Sequence, residues 1–404
     1  MTLLRESYLF HLWMALCSVY EGSAIHRMLA AAGGWYSRQI DESRVLRPLC
    51  REGVVARAWP DSCLCRLLTA LVNLPGWLLH KLYTALPVTF EDSLFARLAF
   101  EMGDETAIAQ FWCICLLWSI PFAYWNNAYS LMGFAALLML FYAGAMRRKD
   151  FRLDLANIGF YPLVLFGAMF LAVFFSYAPS LSLRFLFYHI SAALCVLVTV
   201  SAVRCTEDLK RLAAGGAVCV AVSGVYGIIQ RIQGVEVSRS NVDLKVNAGM
   251  PGRVESYFDN ANTFAEVLIL LLPLVLALIL CSRHLFSKLV ASGVLVVGVA
   301  ALGMTYSRAS WVGMACAMVV MVCLWKPRLI PAFAVLCCLA VPFLPTTIWN
   351  RILTITNLSD SSTASRVPLL KAALEVIRTR PLWGAGLGTA APQAYIAEWN
   401  LYHA

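Results

Sequence analysis

From residue 107 onward, apolar stretches close to the ~20 residues that a transmembrane helix needs recur along the chain, separated by short polar breaks that hold most of the charge. The pattern predicts helices spanning 107–124, 128–146, 159–177, 185–203, 212–230, 264–281, 289–305, 310–325 and 329–347, about nine crossings in an all-α, polytopic bundle. Residues 1–106 differ in kind. Their apolar patches, Tyr8 to Leu16 and Leu67 to Leu79, are short and interrupted by Arg, His, Pro and Gly. They read as amphipathic helices on the cytoplasmic membrane surface, with Arg38, Arg44, Arg47, Arg51 and Arg57 toward anionic headgroups. A tenth span or a re-entrant pair over 67–90 stays open, and Asp104 is placed to cap the first confident span. No charged region, apolar core and small-residue cleavage site stand together as a removed signal peptide would require.

Composition agrees with a bilayer as solvent. The chain is 60% hydrophobic and 14% charged, too few polar groups to cover a soluble globule. The net charge of +9 reads as topology rather than as a nucleic-acid footprint, because Lys and Arg concentrate in alternate loops. Arg147, Arg148, Lys149 and Arg152 form one group, Arg204, Lys210 and Arg211 the next, then Arg283 with Lys288 and Lys326 with Arg328. Those loops are expected to be cytoplasmic. The N-terminal region is then inside and 348–404, after nine crossings, outside. Three domains follow: a membrane-associated region over 1–106, a bundle over 107–347 and a large external loop over 348–404. None of the 14 cysteines lies in the external segments 231–263 or 348–404, so no disulfide framework is expected, and Cys63-x-Cys65 lacks the second ligand pair that zinc needs.

Both external segments are too long to be plain connectors. The first ends in Gly252-Arg253-Val254-Glu255-Ser256-Tyr257-Phe258-Asp259-Asn260-Ala261-Asn262. The second holds an amphipathic helix from about Arg366 to Arg378, with Ser365 as its N-cap and Pro381 stopping it, and then Gly384-Ala-Gly386-Leu-Gly388. No strand precedes these glycines, so they predict a tight turn rather than a dinucleotide site.

Arg253 and Arg308 are the informative pair, since both stand at the outer boundary, against the positive-inside bias. Each alone can be read as an arginine snorkelling to headgroups. Together they flank two helices, 264–281 and 310–325, whose N-termini also face outward and present free N–H groups. That combination makes an anion site. The anion met at this depth would be the diphosphate of a lipid-linked glycan, which guanidinium groups grip bidentately and stabilise as a leaving group without a metal. Thr263 and Glu266 fit a capping box, a reading preferred over Glu266 as a catalytic acid. Asn260 and Asn262 are either turn and cap residues or ligands of sugar hydroxyls. His189 reads as a packed histidine. Trp383, Trp399 and Tyr402 can stack on sugars or anchor at the interface, and His403 follows an aromatic run in the outer loop.

At these residues the sequence resembles the O-antigen ligase and O-antigen polymerase superfamily of bacterial membrane glycosyltransferases. Three stretches carry the likeness: Arg253 to Ala265 with Asn260-Ala-Asn262, Thr305-Tyr-Ser307-Arg308-Ala-Ser-Trp311, and Ser365-Arg366 followed by a helix and Pro381-Leu-Trp-Gly384-Ala-Gly386-Leu-Gly388. The resemblance, over about residues 110–404, implies a GT-C-like fold in a bacterial cytoplasmic membrane. It further implies cofactor-free, metal-independent transfer, with inversion, of a glycan from undecaprenyl diphosphate to a glycan, lipid or protein acceptor. By position, Arg253 and Arg308 would hold the diphosphate and take part in catalysis. His403 would be the general base on the acceptor hydroxyl, while Asn260, Asn262, Trp383 and Tyr402 would contact glycan or acceptor. The family reads Asn-Pro-Asn where this chain has Asn260-Ala-Asn262, and this chain stops at Ala404, before a second His and closing spans, so a truncated outer loop is expected. Two other classes compete. A transporter or flippase would place ionisable residues or broken helices near the bilayer midplane, and the expected spans hold no Asp, Glu, Lys or Arg there; an inactive membrane scaffold would form complexes without transfer.

Overall fold

The computed structural model describes scattered positions between residues 11 and 42 and the segments 53–148, 152–234, 252–325 and 366–399. Every regular element among the described residues is helical. In chain order these are α1 (Val54–Ala58), α2 (Cys63–Ala85), α3 (Pro87–Glu91), α4 (Leu94–Asp104), α5 (Thr106–Trp118), α6 (Asn127–Arg147) and α7 (Leu155–Ile158). They continue with α8 (Phe160–Phe174), α9 (Pro179–Ala202), α10 (Thr206–Gln233), α11 (Ala261–Cys281), α12 (Leu285–Met304), α13 (Arg308–Trp325), α14 (Arg366–Thr379) and α15 (Ala390–Glu398).

Six helices, α2, α6, α9, α10, α11 and α12, are long and apolar enough to cross a membrane, and α5, α8 and α13 are apolar but shorter. The chain is a multi-pass membrane protein. Eight of the nine expected spans coincide with α5, α6 and α8 to α13; the ninth, 329–347, lies outside the described residues. Several boundaries differ by a few residues, and the reason is plain at the end of α5 and the start of α10. α5 stops at Trp118 because Pro121 offers no N–H to continue it, and a short 3-10 turn, Phe122–Tyr124, leads into α6. α10 starts at Thr206, earlier than expected, because Glu207 and Asp208 stand in its first turn where the helix dipole favours negative charge. Asp104 does not cap the first span. It closes α4, and α5 begins after Glu105 without a side-chain cap.

The densest core joins α10, α11 and α12. Phe264, Leu268, Leu272 and Val275, spaced along one face of α11, are fully buried against Ala217, Val220, Ala301 and Leu302. Gly298 lets α12 come close, since a Cβ there would lie 2.5 Å from Leu272 and 2.6 Å from Val220. Among lipid tails, such close packing of small residues is what drives helix association. Polar stitches tie α5 in: Gln110 Nε2 donates to Thr199 Oγ1 on α9, and Trp118 Nε1 donates to the Cys219 carbonyl of α10 at 2.9 Å. The cysteines whose side chains are described are all free.

One end of the bundle is basic. There Asp104 lies 3.9 Å from both Arg147 and Arg148, and Arg211 pairs with Glu105 and Asp208, each at 3.2 Å. The far end collects the starts of α6, α9, α11 and α13, and with them Arg253, Asn260, Asn262 and Arg308.

Candidate functional site

Residues 252–260 form a loop that folds down beside the last turns of α10. Val254, fully buried, plugs the core between Gly227 and Phe264, and its N–H donates to the Met304 carbonyl at 3.1 Å. Ser256 Oγ donates to the Ser223 carbonyl at 2.9 Å. Ser223 stands ten residues before the end of α10, so the loop reaches roughly 15 Å below it at 1.5 Å per residue. Gln230 Oε1 accepts from the N–H groups of Glu255 and Ser256 at 3.2 and 3.0 Å. Phe258 then stacks on Phe264, and Trp118 meets it edge-on.

Seating Val254 fixes Arg253. Its Nε donates to the Thr305 carbonyl at 2.8 Å and its Nη2 to Asn262 Oδ1 at 2.5 Å. The guanidinium therefore lies at the first turn of α11 and against the Met304–Ser307 turn that leads into α13, whose first residue is the half-buried Arg308. Asn260, extended at φ −157° and ψ 121°, caps α11 by accepting from the Asn262 N–H at 2.8 Å. The helix thus starts at Ala261, one turn before the expected capping box, and neither Thr263 nor Glu266 caps it. Phe264 must already be helical to face Gly227, which sets the start.

The turn before Arg308 is as firmly built. Thr305, wholly buried, bonds back to the Leu302 carbonyl at 2.7 Å; Ser307 and Ser310 share a hydroxyl bond of 2.9 Å; Trp311 Nε1 donates to the Leu302 carbonyl at 3.0 Å. Among the described residues the non-glycine residues at positive φ are Ser256 (54°), Asp259 (57°) and Tyr306 (51°), and all three flank the arginines. Such backbone costs energy and clusters at functional sites. Burial pushes the Glu255 carboxyl above the usual range, Asp259 adds to this and Arg253 opposes it; burial likewise raises the Tyr257 phenol.

Beside this site an apolar cavity of about 450 Å³ opens between α5, α6, α9 and the same loop, walled by Leu117, Trp118, Trp125, Phe134, Tyr188 and Phe258. Beyond it the α14–α15 hairpin docks on the far ends of α8 and α9. The Gly384-Ala-Gly386-Leu-Gly388 turn is tight as expected, with all three glycines at positive φ. A Cβ on Gly386 would lie 2.2 Å from Ser176 Oγ, and the Tyr177 N–H donates to the Ala385 carbonyl at 3.0 Å. Arg380 lies over the rings of Tyr177 and Tyr395 at 5.7 and 5.2 Å. Trp383 stacks on Phe175, centroids 4.2 Å apart, and keeps 43% of its surface exposed.

Residues 293–403 match the O-antigen ligase family model. The resemblance drawn from the motifs is borne out over this stretch, which takes in most of α12, the Thr305–Arg308 turn, α13 and the α14–α15 hairpin. The Arg253 loop precedes it in sequence and packs onto its first part in space. No curated protein and no solved structure matches the chain.

Of the expected site residues, Arg253, Asn260 and Asn262 come together, with Arg308 three residues beyond the carbonyl that Arg253 grips. Trp383 sits instead on Phe175, at the end of α8. Tyr402 and His403 lie outside the described residues, as does Ser365. His189 is satisfied as expected, its Nδ1 2.8 Å from the Phe185 carbonyl. The sequence reading missed Arg231. On the last turn of α10, it donates to the Gly252 carbonyl at 3.2 Å and lies 6.0 Å from the Tyr306 ring. The signal that marked its two neighbours, a cation at the far end against the charge bias, marks it too.

Proposed function

We propose that this protein transfers a glycan from a polyprenyl diphosphate, undecaprenyl diphosphate in a bacterial cytoplasmic membrane, to an acceptor hydroxyl at the non-cytoplasmic face. The basic end of the bundle is then cytoplasmic, together with residues 1–106, and 348–404 is external. The observation that carries the reading is Arg253 held between the first turn of α11 and the turn that begins α13. A diphosphate placed there meets guanidinium groups and helix N-terminal N–H groups together.

In this reading the acceptor oxygen attacks the anomeric carbon from the side opposite the diphosphate. The glycosidic C–O bond breaks with inversion, its electron pair leaves on the diphosphate, and the acceptor proton passes to His403 as base. Arg253 and Arg308 stabilise the charge that grows on the leaving group, supplying what a metal ion would otherwise supply. Arg231 holds the loop that carries Arg253. Asn260, Asn262, Trp383 and Tyr402 border the glycan or the acceptor. The apolar cavity, next to the loop, suits the isoprene units nearest the diphosphate.

The test is glycan transfer from a polyprenyl-diphosphate donor by the purified protein in lipid, without added metal, against Arg308→Ala. Loss of transfer in Arg308→Ala with unchanged thermal unfolding supports the diphosphate site. Full transfer in that variant would return Arg308 to an interfacial anchor.

A further inference from the structure

α2 passes as a transmembrane helix by length and composition, with 23 residues and an apolar window. Its contacts say otherwise, because every tie along its length is to the basic end of the bundle. Four residues before it starts, Trp59 donates through Nε1 to the Leu155 carbonyl at 3.3 Å and packs its ring on Phe160, 5.7 Å away. At its middle, Asn73 makes two bonds with Leu153: Nδ2 donates to the carbonyl at 2.9 Å, and Oδ1 accepts from the N–H at 2.8 Å. Toward its end, His80 Nδ1 lies 2.8 Å from the Met146 carbonyl, and Tyr83 meets Phe100, the ring over which Arg147 lies at 5.8 Å. Residues 146, 147, 153, 155 and 160 all belong to the end of α6, the turn after it, α7 and the start of α8.

A spanning α2 is incompatible with these ties. Asn73 is near its midpoint, roughly 15 Å along the axis from either end, about half the ~30 Å hydrocarbon thickness. Spanning would put Asn73 at the bilayer centre and carry Leu153 there, together with the exposed Arg152 next to it in the chain. A charge at that depth costs about 2.5–3.5 kcal/mol or more. It would also require one end of α2 to reach the far face, whereas Trp59 and Tyr83, beyond its start and near its end, are both held at the basic one.

We infer that α2 does not cross the membrane but lies along the surface of the leaflet at the basic end, an amphipathic cuff docked on that leaflet's interface. Leu64, Leu67, Leu71, Leu74, Leu78 and Leu82 form one stripe with steps of three and four, each 45–66% exposed. That stripe faces the acyl chains. Arg66 and Lys81, both exposed, reach the headgroups, and Lys81 Nζ lies 3.9 Å over the Trp77 ring. α4 extends the cuff, with Leu94, Phe95, Leu98 and Met102 exposed along it.

Two measurements decide it. Short epitope tags inserted after Asp61 and after Asp92, on either side of α2, are compared in intact and permeabilised cells with a reference tag after the exposed Arg283 at the basic end. The cuff places all three on one side; tags 61 and 92 on opposite sides would overturn it. Independently of whether tagged chains accumulate, the fluorescence lost in Trp77→Phe isolates that ring for depth-dependent quenching in lipid vesicles. The cuff predicts quenching about twofold stronger by labels near the headgroups than by labels at the acyl ends. Stronger quenching by the deep label would place Trp77 at the bilayer centre and overturn the inference.

Discussion

Replacing Arg253 by Lys separates charge from geometry at the proposed diphosphate site. Lysine keeps the positive charge but offers it from one nitrogen, without the planar fork that lets Arg253 donate to the Thr305 carbonyl and to Asn262 together. Hydrogen bonds to charged groups contribute about 1.5–3 kcal/mol each, and solvent screening at this half-exposed residue reduces that toward the low end. One lost bond then lowers stability by about 1–2 kcal/mol, which leaves the bundle folded. The effect on transfer is larger. A donor fixed where charge develops is worth about 10²–10³ in rate, so Arg253→Lys is expected to fold nearly as the unchanged chain does and to transfer glycan roughly a hundredfold more slowly. The assay is the initial rate of transfer from a polyprenyl-diphosphate donor in lipid, with thermal unfolding followed in parallel. A rate within about threefold of the unchanged chain would refute the reasoning, because charge alone would then suffice without the fork.

Asn260→Ala removes the α11 cap, and thermal unfolding is expected to report a loss of about 1 kcal/mol, with Asn260→Asp close to neutral. Gly227→Leu places a branched side chain where a Cβ alone is 3.0 Å from Val254 and 3.3 Å from Phe264; overpacking of about 1–3 kcal/mol should unseat the loop and reduce transfer without touching an arginine. Gly386→Ala forces an L side chain to φ +131° and into Ser176 Oγ, so limited proteolysis should cut the α14–α15 hairpin faster than in the unchanged chain. The Glu255 carboxyl titrates above its unfolded value, so its favourable contribution is fully present below the ordinary carboxylate range and is lost as pH rises through the folded value. Glu255→Gln is therefore expected to be at least as stable as the unchanged chain at neutral pH; unfolding midpoints against pH check this, and a less stable variant there would contradict it.

The helices were legible because lipid imposes one length and one polarity on whatever crosses it, and Arg253 and Arg308 because they stand where the charge bias disfavours cations. Contacts distant in sequence were not legible. That Trp383 stacks on Phe175, 208 residues earlier, has no signal in either local sequence. Arg231 looked like the start of a loop because nothing local shows that α10 continues through Gln233. The cap of α11 was misplaced because Asn260, Asn262 and Thr263 are all good cap residues, and the choice among them is made by Val254 and Phe264 entering the same core. α2 was ambiguous in both directions, since an interfacial stripe of leucines and a broken span have nearly the same composition.

Whether the arginines anchor the protein or bind an anion turns on how firmly they are held. An anchoring arginine needs only a flexible stem and a route to the headgroups, and nothing in that role calls for a fixed guanidinium. Arg253 is fixed at two of its nitrogens, and the residue after it is sealed in the core. The loop and turn around the pair hold Ser256, Asp259 and Tyr306 in left-handed backbone, each costing on the order of 1 kcal/mol or more. Three such residues in two short segments, closed by hydrogen bonds from the loop N–H groups to Gln230 and from the Thr305 hydroxyl to the Leu302 carbonyl, are strain that a snorkelling arginine gives no reason to keep. A guanidinium that must already be in position when charge arrives on a leaving diphosphate does, because a group that had to reorganise at that moment would lose most of its effect on the rate.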